Sequence, residues 1–117
     1  VAVAEGRLRD ADALIRELRQ EFGAMARERL DEMGVLLSRL GAGRDDDALR
    51  DLRRNAHGLA GSGGSVGLPE VTRIARQLEG ECRRRLESGE VPGDGDLAAW
   101  TAALGALRTA LLGEGPA

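Results

Sequence analysis

Hydrophobic residues recur every three or four positions along most of the chain, which is the spacing of amphipathic helices. The longest such stripe predicts a first helix over residues 7–40. Its members are Leu8, Ala11, Ile15, Leu18, Phe22, Ala26, Leu30, Met33, Leu37 and Leu40. Gly23 and Gly34 interrupt it, and each weakens a helix by about 1 kcal/mol relative to Ala. The alternative is therefore a break at a glycine, which would leave an extra short N-terminal helix.

Three further stripes follow, separated by short segments rich in Gly, Pro and Asp. They predict helices over residues 46–66, 69–87 and 96–112, with Pro69 in the first position of the third helix and Asp96 as the cap of the fourth. The apolar positions are Leu49, Leu52, Ala56, Leu59, Gly63 and Val66, then Val71, Ala75, Leu78 and Cys82, then Leu97, Trp100, Leu104, Leu107 and Leu111. Amphipathic helices joined by short loops predict an all-α fold, an antiparallel up-down four-helix bundle.

The composition fits one small domain over residues 1–117. Aromatic residues make up only 2%, which favours a helical core over a sheet. The net charge of -3 gives no basic surplus for nucleic acid, and no apolar run approaches the ~18 residues of a membrane span. The single cysteine, Cys82, cannot form an internal disulfide and lies on an apolar stripe, so we expect a buried thiol in a cytoplasmic protein. The first residues, VAVAEGRLRD, lack the basic and apolar regions of a signal peptide, so we expect none there, and the start at Val1 allows for a longer parent protein.

The neighbourhood of the only histidine, His57, is unusual. It reads NAHGLAGSGGSVGLPE, a helical stripe that nevertheless contains five glycines. At 100° per residue, His57 falls about 130° from the centre of the stripe, so its side chain is expected to face solvent. Gly61 and Gly64 lie on the same face and leave room for another backbone to approach. Gly63, Gly64 and Gly67 also allow the alternative that the helix ends within this run.

Arginines occupy the preceding turns on the face of His57. Arg50, Arg53 and Arg54 offer positive charge to a phosphoryl group or to an acidic partner, with a plain solvated surface as the alternative. A neutral imidazole can attack phosphorus without a separate base. Phosphoryl transfer then needs mainly positioning and charge neutralisation. An exposed histidine between arginines and glycines therefore indicates a phosphoryl acceptor.

The run A-H-G-L-A-G-S-G-G-S-V-G-L, followed by I-A-R-Q-L-E, closely resembles the signature of histidine phosphotransfer (HPt) domains of bacterial phosphorelays. The matching positions are His57, Leu59, Gly61, Ser62, Gly67, Leu78 and Glu79. The resemblance implies that His57 takes a phosphoryl group from a receiver-domain aspartate of a response regulator and gives it to another receiver. It implies a sensor histidine kinase as a further partner, with no ATP site, no cofactor and no metal in the domain itself. A four-helix unit that closes its own core is expected to be a monomer.

One position departs from the family pattern. Many members carry Lys three residues after the histidine, whereas this chain has Ala60. That lysine is thought to help hold the phosphoryl group, so its role is either absent here or moves to Arg53 or Arg54.

Three alternative functions fit part of this sequence pattern. A histidine-kinase dimerisation domain usually has an acidic residue after the histidine, which Gly58 does not match. A module phosphorylated directly by a kinase domain and a helical adaptor without phosphotransfer both stay open. Within the third helix, Glu79 and Arg83 are expected to form an ion pair four residues apart.

Overall fold

The computed structural model describes residues 2–112, with side chains over residues 10–111, and within them it contains four helices and no strand. The helices are α1 (Ala2–Gly41), α2 (Asp46–Ser65), α3 (Pro69–Ser88) and α4 (Asp94–Leu112). Among the described residues, contacts join α1 to α2, α2 to α3, α3 to α4 and α4 to α1, without diagonal pairs. Because the connecting segments are short, neighbouring helices run antiparallel. The predicted all-α bundle is confirmed, and no described helix is apolar enough over its length to cross a bilayer.

Helix α1 is twice as long as its neighbours. Its 40 residues span about 60 Å, against about 30 Å for the 20 residues of α2. It runs unbroken through Gly23 and Gly34, so the structure has no separate short N-terminal helix in the described residues. The apolar stripe was predicted to be buried along the whole of α1. In the first half of the helix this prediction is wrong, because Ile15 and Leu18 are each 48% exposed. At this level α2 ends, and Ile15 and Leu18 border a surface cavity together with Ser65 and Val66 instead of packing in the core.

The core lies between the second half of α1 and the other three helices. Its largest fully buried side chains are Trp100, Leu30, Met33, Leu40, Leu49, Leu52, Leu59, Leu107, Val71 and Cys82. The indole Nε1 of Trp100 donates a hydrogen bond to Glu81 at 2.6 Å, which satisfies the one polar atom of this buried ring. Burial raises the pKa of the Cys82 thiol to about 12, so the thiol stays protonated at neutral pH.

Helices α2 and α3 are joined by a tight connection. Helix α2 continues to Ser65, so Gly63 and Gly64 are helical and only Gly67 belongs to the connection. Gly67 has a φ of 74°, and the Leu68 amide donates to the Gly63 carbonyl at 2.8 Å, which is a Schellman ending. Helix α3 starts at the next residue, so it packs directly against α2 and lies beside His57.

The start of α4 differs from the prediction. The helix begins at Asp94, two residues early, so Asp96 lies in its first turn rather than at the cap position. There the Asp96 carboxylate accepts a hydrogen bond from the Gly93 amide at 3.1 Å and pairs with Arg85 at 3.0 Å. These contacts lower the pKa of Asp96, with the Arg85 hydrogen bond as the largest cause. As a capping residue would, the Asp96 carboxylate accepts a hydrogen bond from a backbone amide at the start of α4. It does so from within the first turn and not from the cap position.

Candidate functional site

His57 lies in the middle of α2 on its outer face. The side chain is 76% exposed, whereas Ala56 and Leu59 on the opposite side of the helix are fully buried. This exposure of His57 agrees with the prediction from the helical periodicity. One face of α2 is buried in the core, so the opposite face points to solvent. The imidazole is therefore accessible to another protein.

The imidazole is held by a carboxylate from the neighbouring helix. His57 Nδ1 lies 2.9 Å from Oε1 of Glu79, whose own side chain is only 19% exposed. Because a carboxylate accepts hydrogen bonds, this contact favours the tautomer with its hydrogen on Nδ1 and leaves a lone pair on Nε2. The predicted pair between Glu79 and Arg83 is wrong, because Glu79 reaches across to His57 and Arg83 lies 4.0 Å from Glu87.

A surface cavity of about 340 Å³ surrounds the histidine, and the sequence-predicted arginines lie around it. The lining residues are Arg50, Arg53, Arg54, His57 and Glu79. Three guanidinium groups and one carboxylate therefore share the surface from which the imidazole is reached. The side chains that line the cavity thus carry more positive than negative charge, in a chain whose net charge is -3.

The three arginines are not equivalent. Arg50 pairs with Asp47 at 2.9 Å and Arg54 pairs with Asp51 at 3.2 Å, each three residues along the same helix. Arg53 has no hydrogen bond or ion pair to any part of the chain that the structure describes. The sequence grouped the three as one patch, whereas the structure leaves one of them uncommitted.

The two glycines predicted to face a partner border open surface. Apart from the backbone of α2 itself, a Cβ added at Gly61 would meet no atom within 4 Å, and one at Gly64 would lie 3.8 Å from Thr72 Oγ1. Both residues are exposed and lie in the turns after His57. On the C-terminal side of the histidine, α2 thus exposes two glycines that have no side chain. On the N-terminal side it exposes the arginines.

Sequence reasoning missed a contact from α1. Arg29 donates a hydrogen bond to Oδ1 of the buried Asn55 at 3.3 Å, and its guanidinium lies over Gly58. The signal available in the sequence was Asn55 itself, a polar residue at the edge of the apolar stripe that needs a partner when buried. The contact packs α1 against the segment that carries His57.

The arrangement suits nucleophilic chemistry by an imidazole. Nε2 has a lone pair and an exposed position, Glu79 can stabilise positive charge on the ring, and the arginines can offset the charge of a phosphoryl group. Within the described residues, no three side chains of His, Cys, Asp or Glu gather as a metal site would require.

Comparison with known proteins adds one match. The model of the Hpt domain family matches residues 17–111, which covers all four helices except for the first part of α1 and the last residue of α4. No curated protein and no solved structure matches the chain. Hpt domains serve in histidine phosphotransfer within two-component phosphorelays, where they interact with receiver domains and histidine kinases. Since the match spans most of the sequence, the chain belongs to the Hpt domain family.

Proposed function

We propose that this protein is a phosphorelay intermediate. His57 reversibly accepts a phosphoryl group from a receiver-domain aspartate and transfers it to the aspartate of another receiver. The observation that carries the proposal is the contact of His57 Nδ1 with Glu79 at 2.9 Å on an exposed helix face. It orients an accessible imidazole with Nε2 as the nucleophile.

The transfer is a displacement at phosphorus. The Nε2 lone pair forms the N–P bond while the P–O bond to the aspartyl carboxylate breaks, and the carboxylate leaves with the bonding electron pair. The ring gains positive charge as the bond forms, and the Glu79 carboxylate stabilises that charge through Nδ1–H. Transfer to the next receiver is the same step in reverse, which returns the imidazole to its starting form.

The surroundings of His57 support a protein as the phosphoryl donor. Open surface at Gly61 and Gly64 allows a partner backbone to come close, and the arginine side supplies positive charge. We infer a phosphocarrier without its own ATP site, which acts as a monomer in the cytoplasm with receivers and a sensor histidine kinase as partners.

The experiment compares the wild-type protein with His57→Gln. Each is incubated with a panel of purified receiver domains that carry radiolabelled aspartyl phosphate. We expect acid-labile, base-stable label on the wild type and none on His57→Gln. The variant should fold normally, which circular dichroism checks, because the side chain is 76% exposed.

The other outcomes separate the alternatives. Label on His57→Gln would move the acceptor to another residue. Absence of label from every receiver, with binding retained, would favour an adaptor. Label that appears only with an added ATP-binding kinase domain would replace the receiver as the donor.

A further inference from the structure

A phosphoryl group on His57 needs a cation beside it. The group brings up to about two negative charges to a face whose cations are the three arginines of the cavity. Arg50 and Arg54 are already paired with aspartates three residues away. An arginine that would first have to leave a carboxylate stabilises a new anion less than one that is free. Of these three arginines, only Arg53 has no hydrogen bond or ion pair within the part of the chain that the structure describes.

The direction of helical side chains also favours this position. In an α-helix the Cα–Cβ bonds tilt toward the N-terminus, so a side chain covers the turn before its own residue. The imidazole of His57 therefore leans over the turn that contains Arg53, about 6 Å along the axis, and away from Gly61. Residues four apart are neighbours on one face, and Arg53 and His57 line the same cavity, so the long Arg53 side chain can turn toward Nε2.

Arg53 also lies on the edge of α2 that faces α3. Ala60, seven residues later and thus on the same edge, is 5% exposed, and its carbonyl accepts a hydrogen bond from Thr72 of α3 at 3.2 Å. Glu79 reaches His57 from α3 as well. Arg54 is turned by about 100° from Arg53, toward the other side of the helix.

A second cavity supports the same placement. It has a volume of about 350 Å³, adjoins the first through Arg50 and Arg53, and is lined on the α3 side by Arg83, Leu86 and Glu87. The positive charge of Arg53 also acts on Cys82 in α3, where it opposes the rise of the thiol pKa caused by burial. The Arg53 side chain thus lies along the groove between the two helices that hold His57 and Glu79.

We propose that Arg53 holds the phosphoryl group of phosphorylated His57, while Arg50 and Arg54 keep their ion pairs. A guanidinium donates two parallel hydrogen bonds to phosphoryl oxygens, which gives both charge and orientation. The inference rests on the proposed function of His57 and names the cation that stabilises its phosphorylated form.

The test measures the equilibrium of transfer between a receiver and this protein. The final distribution of label depends on the stability of the two phosphorylated forms and not on how fast the proteins dock. We expect Arg53→Gln to lower the equilibrium constant about tenfold, equivalent to about 1.4 kcal/mol. Arg53→Lys should restore part of it, because the charge returns without the two parallel hydrogen bonds of the guanidinium. Arg54→Gln should have a clearly smaller effect, because Arg54 is engaged by Asp51.

The matched control is Arg84→Gln. Arg84 is exposed on α3 and lines neither cavity, so its replacement removes the same charge without touching the site. We expect the wild-type equilibrium for this variant. An Arg53→Gln protein with the same equilibrium as Arg84→Gln would overturn the inference, as would an equal loss for Arg54→Gln.

A small phosphodonor keeps the inference and the proposed function distinguishable. Phosphoramidate can label an exposed imidazole without a receiver, and ³¹P NMR detects the product. A wild type that neither phosphoramidate nor any receiver labels would contradict the phosphoryl-acceptor role of His57. A labelled wild type with an unchanged Arg53→Gln equilibrium would contradict only the role of Arg53.

Discussion

The glycines in the second half of helix α2 differ in burial and in the space around them. Gly63 is buried, and a Cβ there would lie 3.0 Å from Val71 Cγ1 and 3.2 Å from Thr72 Oγ1. Gly61, two residues earlier, is exposed and has no such neighbour within 4 Å. One glycine lets α3 pack closely, and the other leaves the surface beside His57 open. A glycine-rich run therefore does not mark a docking surface by itself.

The largest expected effect on stability follows from filling the buried position. Gly63→Val should lower the free energy of unfolding by about 1–3 kcal/mol, because the branched side chain overpacks against Val71 and Thr72. Urea denaturation would show a lower midpoint with an unchanged slope. The control is Gly61→Val, which places the same side chain on open surface and should change stability by less than about 0.5 kcal/mol. Equal losses for the two variants would remove the distinction between them.

At the exposed Gly61, a substitution should increase stability and impair phosphotransfer. Gly61→Ala is expected to raise the free energy of unfolding by about 0.5–1 kcal/mol, because Ala is the better helix former. It should also lower kcat/KM for transfer from a receiver about tenfold, since the methyl group stands where the partner backbone approaches, equivalent to about 1.4 kcal/mol. Labelling by phosphoramidate should not change, because a small donor needs no such approach.

Gly105→Ala is the matched control for this prediction. Gly105 is exposed in α4 and also has open space around it, so the substitution should add similar stability and leave transfer unaffected. If the receiver transfers as fast to Gly61→Ala as to Gly105→Ala, the surface at Gly61 has no part in docking.

The sequence predicted the bundle well because helix spacing and core burial are linked. The apolar positions of α2 and α3 are buried because each has a neighbouring helix of equal length. The same spacing at Ile15 and Leu18 predicted burial wrongly, since periodicity reports which face of a helix is apolar and not what covers it. The relative length of helices, which depends on where the loops fall, decided that outcome.

For the site, the sequence predicted the exposure of His57 but not the contacts between its side chains. The exposure of His57 followed from the wheel, because it depends only on which face of α2 is buried. The contact with Glu79 needed the packing of α3 on α2, so the sequence supplied only a family position and suggested Arg83 as its partner. The separation of Arg53 from its neighbours depends on local ion pairs, which spacing alone does not settle.

The smallest effect on stability is expected at Gly58, which is covered by the Arg29 side chain. A Cβ on Gly58 would lie 2.8 Å from the guanidinium carbon of Arg29, the far end of a flexible side chain that can move away. Gly58→Ala should gain about 0.5–1 kcal/mol of helix stability and lose a similar amount, because Arg29 no longer donates to Asn55. Chemical denaturation should therefore show a net change below about 0.5 kcal/mol.

A double-mutant cycle shows whether this near-zero value is a cancellation. In an Arg29→Ala background the space over Gly58 is empty, so Gly58→Ala should there stabilise by its full helix preference of about 0.5–1 kcal/mol. The difference between the two backgrounds measures the coupling between Arg29 and Gly58. Identical effects in both would mean that Arg29 does not occupy the surface over Gly58. In that case Gly58 would belong with Gly61 among the glycines that leave α2 open.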